Sequence, residues 1–270
     1  MTSHLSINRE QVGVARVIMQ RPEIHNAFDD ALIADLEAAF AAITQDDSVR
    51  VVVLQAEGKS FSAGADLNWM RRMAGYSRAE NVQDAGGLAR MLAAIENCPK
   101  PVIARVQGAA FGGGVGLVAC CDIVVAAERA KFCLSEVKLG LIPAVISPYV
   151  VAAIGQRACR RYFLTAESFD AHTAQALGLV SEVTTDTGLD DAVDALVATL
   201  LANGPMAMGR AKDLIRAVSQ RPISQDLINE TAERIADTRA SIEGREGLAA
   251  FLEKRPPAWK PTPQNPIATA

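Results

Sequence analysis

Two short glycine-bearing segments are where this 270-residue chain could do chemistry. Phe61-Ser62-Ala63-Gly64-Ala65-Asp66-Leu67 follows the β-branched run Val51 to Gln55, and Gly108-Ala109-Ala110-Phe111-Gly112-Gly113-Gly114-Val115-Gly116 follows Val102 to Gln107. Small residues let a ligand approach the backbone N–H groups, and a helix starting near Gly114 aims its positive end at the same place. Such groups can form an oxyanion hole, which stabilises negative charge on a carbonyl oxygen without a side-chain acid. The second segment taken alone reads better as a tight turn with close helix packing. Two such segments at the ends of parallel strands favour a ligand site.

The elements that must carry these segments are legible as patterns. Gly13 to Gln20, Val49 to Gln55, Pro101 to Gln107 and Ile123 to Ala127 are short β-branched runs bounded by Gly, Pro or charge, and predict strands. Between the first two, Leu32, Leu36, Phe40 and Ile43 recur at helical spacing, with Asp29 or Asp30 able to cap the start. A second helix is predicted over Arg78 to Glu96, stopping before Pro99 and Pro101. Alternating strand and helix is the pattern of right-handed βαβ crossovers. From about residue 145 the signal turns helical, most clearly over Leu189 to Leu201, Met206 to Val218 and Ile223 to Ala240. The expected architecture is an α/β core over residues 1–195 with a helical C-terminal region over 196–255. Residues 256–270 hold five of the twelve prolines, which predicts an extended or disordered tail.

Composition removes several classes. With 27 Lys+Arg against 31 Asp+Glu, the net charge of −4 supplies no broad cationic field, which disfavours nucleic acid and anionic membranes as partners. The uncharged stretches Val106 to Cys121 and Leu139 to Gly155 are interrupted by Gly or Pro and fall short of the ~20 apolar residues of a span, so both are expected inside the protein. Five cysteines without a CxxC pair predict reduced thiols, and the start Met1-Thr2-Ser3-His4-Leu5 lacks a secretory pattern. The expected location is the cytoplasm. Three histidines without ligand spacing predict no metal.

Three familiar motifs fail. Gly58-Lys59-Ser60 lacks the earlier glycine of a phosphate loop, the triple glycine fits no GxGxxG register because residue 117 is Leu, and no GxSxG nucleophile elbow exists.

The chain resembles the enoyl-CoA hydratase/isomerase (crotonase) superfamily over nearly its full length. The resemblance rests on Arg21-Pro22-Glu23-Ile24-His25-Asn26-Ala27, Phe61 to Leu67, Gly112-Gly113-Gly114, Cys121-Asp122-Ile123, Lys131 to Glu136, and Glu253-Lys254-Arg255. It implies a spiral of ββα units and a site for acyl-CoA thioesters with no prosthetic group, coenzyme A entering as part of the substrate. It maps the two oxyanion N–H groups to Ala65 and Gly113 and the acid/base carboxylate to Glu136. CoA is implied along Ala63, Asp66 and Leu67, with Lys59 and a neighbouring subunit's Lys254 as phosphate contacts; Asp66 can instead cap the following helix. Trp69, Gly116 and Ala144 are expected at the acyl pocket, the last two leaving room for bulk, while core packing accounts for Trp69 equally well. A homotrimer or dimer of trimers is implied, joined through the C-terminal helices.

One departure bears on the reaction. Similar hydratases carry a second glutamate two residues past the triple glycine, where this chain has Gly116. Isomerases that shift a double bond resemble the single-glutamate arrangement. Ser62 to Met70 resembles bacterial 3-methylglutaconyl-CoA hydratases of leucine degradation. Ala109 to Phe111, Gly116 to Cys121 and Pro143 to Pro148 resemble that group and isohexenylglutaconyl-CoA hydratases of terpenoid breakdown. The expected reaction is hydration of an enoyl-CoA, with isomerisation as the alternative. RNA binding, reported for some relatives, is disfavoured because Ala85 to Lys100 carries only Arg90 and Lys100 as cations. A distal substrate carboxylate would need a cation, for which Arg71, Arg72 and Lys138 are nearby in sequence.

Overall fold

The computed structural model describes residues 4–9 and 11–260. The chain divides into two compact units, residues 1–195 and 196–270. Among the described residues the first contains nine strands: β1 Leu5–Asn8, β2 Val14–Met19, β3 Val51–Ala56, β4 Val102–Val106, β5 Ala110–Phe111, β6 Ile123–Ala127, β7 Lys131–Cys133, β8 Phe169–Asp170 and β9 Glu182–Thr184. Its helices are α1 Asp30–Gln45, α2 Leu67–Met73, α3 Arg78–Glu96, α4 Gly113–Ala119, α5 Ser147–Thr165, α6 Ala171–Leu177 and the first half of α7 Leu189–Leu201.

The larger sheet has the order β1-β2-β3-β4-β6-β9 and is parallel except for β1, which pairs antiparallel with β2. Parallel neighbours need a crossover, and helices supply it between β2 and β3 and between β3 and β4. β3 and β4 are buried almost throughout, which explains their continuous apolar runs. A smaller sheet, β5-β7-β8, was not legible in the sequence. Two of its strands are two residues long, too short for alternation to show.

The main helices form for local reasons. Asp29 caps α1 by accepting the Leu32 N–H at 2.9 Å, and Leu32, Ile33, Leu36, Ala39, Phe40 and Ile43 are buried along one stripe. Ser77 and Glu80 form a reciprocal capping box at the start of α3, whose last turns bury Met91, Leu92 and Ile95. These side chains join those of β2, β3 and β4 in one apolar core.

The stretch 139–155 departs from its expected interior placement. Pro143, Ile146, Val150 and Ile154 are buried, but Leu139, Leu141 and Ile142 stand on the surface at 53–72% exposure. The chain leaves a 3-10 turn, Glu136–Leu139, through left-handed Gly140, which throws the next two residues outward.

The second unit comprises the end of α7 with α8 Pro205–Val218, α9 Gln225–Ala240 and α10 Ile242–Leu252. Glu243 on α10 accepts the Met206 and Ala207 N–H groups at 2.9 and 2.7 Å, satisfying donors that the first turn of α8 leaves free. Arg255 forks onto Glu246 at 2.7 and 2.8 Å. Of the tail expected to be extended or disordered, residues 256–260 are tied down: the Ala258 N–H reaches Glu246 and the Trp259 indole reaches the Ala202 carbonyl. Residues 261–270 lie outside the described residues. Among the described residues no single helix is long and apolar enough to cross a membrane.

Candidate active site

Both glycine segments leave parallel strands at the same end of the sheet, and the structure brings them into contact. Ser62 pairs with Ala110 as a parallel bridge, the Phe111 N–H donating to the Ser62 carbonyl at 2.9 Å and the Ser62 N–H to Ala109 at 3.0 Å. Gly64 has φ +87, and a β-carbon there would stand 2.9 Å from the Phe111 carbonyl oxygen and 3.9 Å from the Gly112 Cα. Only glycine meets both conditions. The residue before Ala65 therefore packs against the Phe111 carbonyl, two residues before Gly113.

The turn 62–67 alternates. Ser62, Gly64 and Asp66 face inward, and Ala63, Ala65 and Leu67 are exposed. Asp66 accepts the Asn68 and Trp69 N–H groups at 2.8 and 3.0 Å, so it caps α2. Its Oδ1 is thereby committed to the helix, the capping role that the sequence also allowed. Among the described residues neither the Ala65 nor the Gly113 N–H has an acceptor in the protein.

A segment whose motif was visible in the sequence but whose role was not holds this turn. Asn26 is fully buried with φ +53; its Nδ2 donates to the Glu57 and Ser60 carbonyls at 2.8 and 2.9 Å, and its Oδ1 accepts the Arg21 N–H at 2.9 Å. The Ser62 hydroxyl donates to the Asn26 carbonyl and the Ala63 N–H to the His25 carbonyl, both at 2.9 Å. Phe28 forms a parallel bridge with Ala65. The motif Ile24-His25-Asn26-Ala27 was visible, but bonds to residues more than thirty positions away leave no periodic trace.

Glu136 enters from the 3-10 turn after β7. A β-carbon on Gly112, the N-cap of α4 with φ +50, would stand 3.3 Å from Glu136 Oε1, so the carboxyl lies over the start of that helix. Glu136 Oε2 is buried without a hydrogen-bond partner. Burial pushes the carboxyl's pKa above its usual value of 4.5.

Other expected residues fall as follows. Gly116 does not border open space: a β-carbon there would meet Ile146 Cγ2 at 2.3 Å and Leu92 Cδ2 at 3.7 Å. The volume of the missing side chain belongs to Ile146, itself buried, which corrects the expected pocket role. Trp69 is likewise 4% exposed, its indole N–H donates to Asp84 at 3.0 Å, and it lines a hollow of about 420 Å³ between α1 and α3 in which Glu136 and Gly113 take no part. Of the two readings of Trp69, pocket lining and core packing, this placement favours the core. Ala144 and Lys59 are exposed, as is Lys254, which belongs to the second unit. Arg71 donates to Asn68, Arg72 pairs with Asp30, and Lys138 is exposed on the turn that carries Glu136.

Two unpaired backbone donors on touching turns and one desolvated carboxyl can polarise a carbonyl oxygen and move a proton nearby. Comparison with known proteins agrees. Residues 9–262 match the family model described as enoyl-CoA hydratase/isomerase. An enoyl-CoA hydratase from Shewanella pealeana is 48% identical with a TM-score of 0.92, covering 95% of this chain and 96% of that one. One from Mycobacterium smegmatis is 35% identical with a TM-score of 0.89, covering 95% and 98%. The 2,3-dehydroadipyl-CoA hydratase of Escherichia coli is 34% identical over 261 residues, 96% of this chain and 99% of its own length. The chain belongs to the enoyl-CoA hydratase/isomerase family, and its fold is the α/β crotonase fold with C-terminal helices.

Proposed function

We propose that this enoyl-CoA hydratase, a hydro-lyase, adds water to 3-methylglutaconyl-CoA to give 3-hydroxy-3-methylglutaryl-CoA, a step in leucine degradation. The observation that carries the hydration chemistry is the Glu136 carboxyl, half-buried over the start of α4 with Oε2 unpartnered. The thioester oxygen accepts the Ala65 and Gly113 N–H groups, which makes the β-carbon electrophilic. Water attacks that carbon while Glu136 takes one of its protons, and the double-bond electrons move onto the thioester oxygen as an enolate. Glu136 then returns the proton to the α-carbon, so water is added and the carboxylate is regenerated. Desolvation suits this double duty, because raising the carboxyl's pKa makes its ionised form a stronger base.

The choice of substrate is supported by the resemblance of residues 62–70 and 143–148 and by Lys138, which shares the Glu136 turn and would meet a distal carboxylate. Isohexenylglutaconyl-CoA satisfies the same requirements. CoA is gripped along the exposed Ala63, Ala65 and Leu67 edge with Lys59 and, from a neighbouring subunit, Lys254 at its phosphates. The second unit, with exposed Ile223, Ile242, Phe251 and Leu252, mediates a trimer or dimer of trimers. Five cysteines without a disulfide fit the reducing cytoplasm.

One observation favours a second reading. Ile146 fills the position of a second carboxylate, and a single base that removes and returns a proton also describes double-bond isomerisation. A panel of acyl-CoA thioesters separates the two. Turnover of 3-methylglutaconyl-CoA with loss of the conjugated enoyl absorbance is expected; conversion of a 3-enoyl-CoA to its 2-enoyl isomer without any hydration would overturn the proposal.

A further inference from the structure

We infer that Phe28 is the positioning residue that sets the spacing of the two oxyanion donors; the inference rests on the reading of Ala65 and Gly113 given above. Phe28 donates its N–H to the Gly64 carbonyl and accepts the Asp66 N–H, both at 2.7 Å. In a parallel bridge, bonds to the residues flanking Ala65 turn the N–H of Ala65 itself to the opposite edge. The backbone of Phe28 thus leaves that donor free and aims it away from the pairing strand.

The ring of the same residue reaches the second donor. A β-carbon on Gly113 would stand 2.7 Å from Phe28 Cε2 and 3.1 Å from Cδ2, so the ring lies flush against the Gly113 Cα. Phe28 is 1% exposed and cannot swing outward without opening the core. Its own position is pinned on both sides. Asn26 spends its whole amide on Arg21, Glu57 and Ser60, and Asp29, ion-paired with Arg21 at 2.7 Å, caps α1. One residue therefore grips the first donor by its backbone and the second by its side chain. Separation of the donors is fixed through Phe28 as well as through the direct contact of Gly64 with Phe111.

A spectroscopic readout separates this role from a merely structural one. In a Glu136→Gln background, which halts turnover, a bound 2-enoyl-CoA should show its absorbance displaced to longer wavelength as its carbonyl is polarised. Adding Phe28→Leu should abolish most of that displacement while leaving the affinity for free CoA, measured by calorimetry, within about threefold. With Glu136 intact, Phe28→Leu should lower kcat by roughly 10²–10³, the loss expected for one oxyanion donor, with KM little changed. Gly113→Ala, which presses a methyl into the ring, should remove the displacement too, and Phe28→Leu/Gly113→Ala should recover part of it. Full displacement and full kcat in Phe28→Leu would overturn the inference while leaving the site intact. Should Phe28→Leu fail to fold, an undiminished displacement in Gly113→Ala overturns it instead. No displacement even with Phe28 and Gly113 intact would overturn the reading of the donors themselves.

Discussion

Restoring a second carboxylate at position 116 should damage this protein rather than improve it. A β-carbon at Gly116 stands 2.3 Å from Ile146 Cγ2, where apolar carbons normally keep about 3.5–4.0 Å. Neither neighbour has slack, since Ile146 is 2% exposed and Leu92 is fully buried. Gly116→Ala gains about 1 kcal/mol of helix propensity and loses about 1–3 kcal/mol to overpacking, leaving a small net cost. Gly116→Glu adds a carboxylate without a partner in the core, at about 3–5 kcal/mol when charged. At roughly 2–4 °C per kcal/mol for chains of this size, its melting temperature should fall by at least ~6 °C. Thermal unfolding followed by circular dichroism reads this directly, alongside hydration of a 2-enoyl-CoA. Removing the obstructing carbons with Ile146→Ala in the Gly116→Glu chain should recover part of the loss, because the two sites are in contact. A Gly116→Glu protein that melts with the wild type and hydrates as fast would refute the view that Ile146 owns this space.

Glu136→Gln should fold normally and lose about 10²–10⁴ in hydration rate, measured by loss of enoyl absorbance. The acid limb of the pH–rate profile should lie above the usual carboxylate value of 4.5, because burial raises the Glu136 pKa; a limb at or below 4.5 would contradict that assignment. The same upward shift means the folded chain holds this proton more tightly than the unfolded one. The stability cost is therefore present above the folded pKa and vanishes as pH falls below 4.5, so Glu136→Gln should melt higher than the wild type at neutral pH. Asp66→Ala should cost about 0.5–2 kcal/mol through the lost α2 cap and lower kcat as well, since the cap adjoins Ala65; chemical denaturation and steady-state kinetics check both. Lys138→Ala should raise KM for 3-methylglutaconyl-CoA while leaving a straight-chain 2-enoyl-CoA unaffected.

What the sequence revealed followed the range of the forces involved. The helix stripe from Leu32 to Ile43 and the helices over 78–96 and 189–201 were legible because apolar spacing within one element encodes them. The two glycine segments were legible because small residues after a strand are a local signal, and Glu136 because it stands in a recognisable motif. Contacts between distant positions were not. Nothing near Gly116 announces that Ile146, thirty residues later, will take its volume, and nothing near Asn26 announces bonds to Glu57 and Ser60. The room expected at Gly116 was misjudged for this reason: residue type suggested a pocket, and three-dimensional packing fills that space with Ile146.

The alternation along residues 62–67 has a consequence for how this enzyme can change. Inward and outward positions differ by a single residue, so losing or gaining one residue between Ser62 and Asp66 would exchange the two sets. The hydroxyl tether, the left-handed glycine and the helix cap would turn to solvent, and the donor edge would turn into the core. Substitutions at Ala63, Ala65 or Leu67 leave the inward tethers untouched and alter only the face offered to the ligand, where small side chains keep the backbone donors open. Side-chain variation is therefore confined to the outward positions while the length of the stretch is held fixed, and a one-residue indel should be lethal to activity where a conservative substitution at an outward position is not.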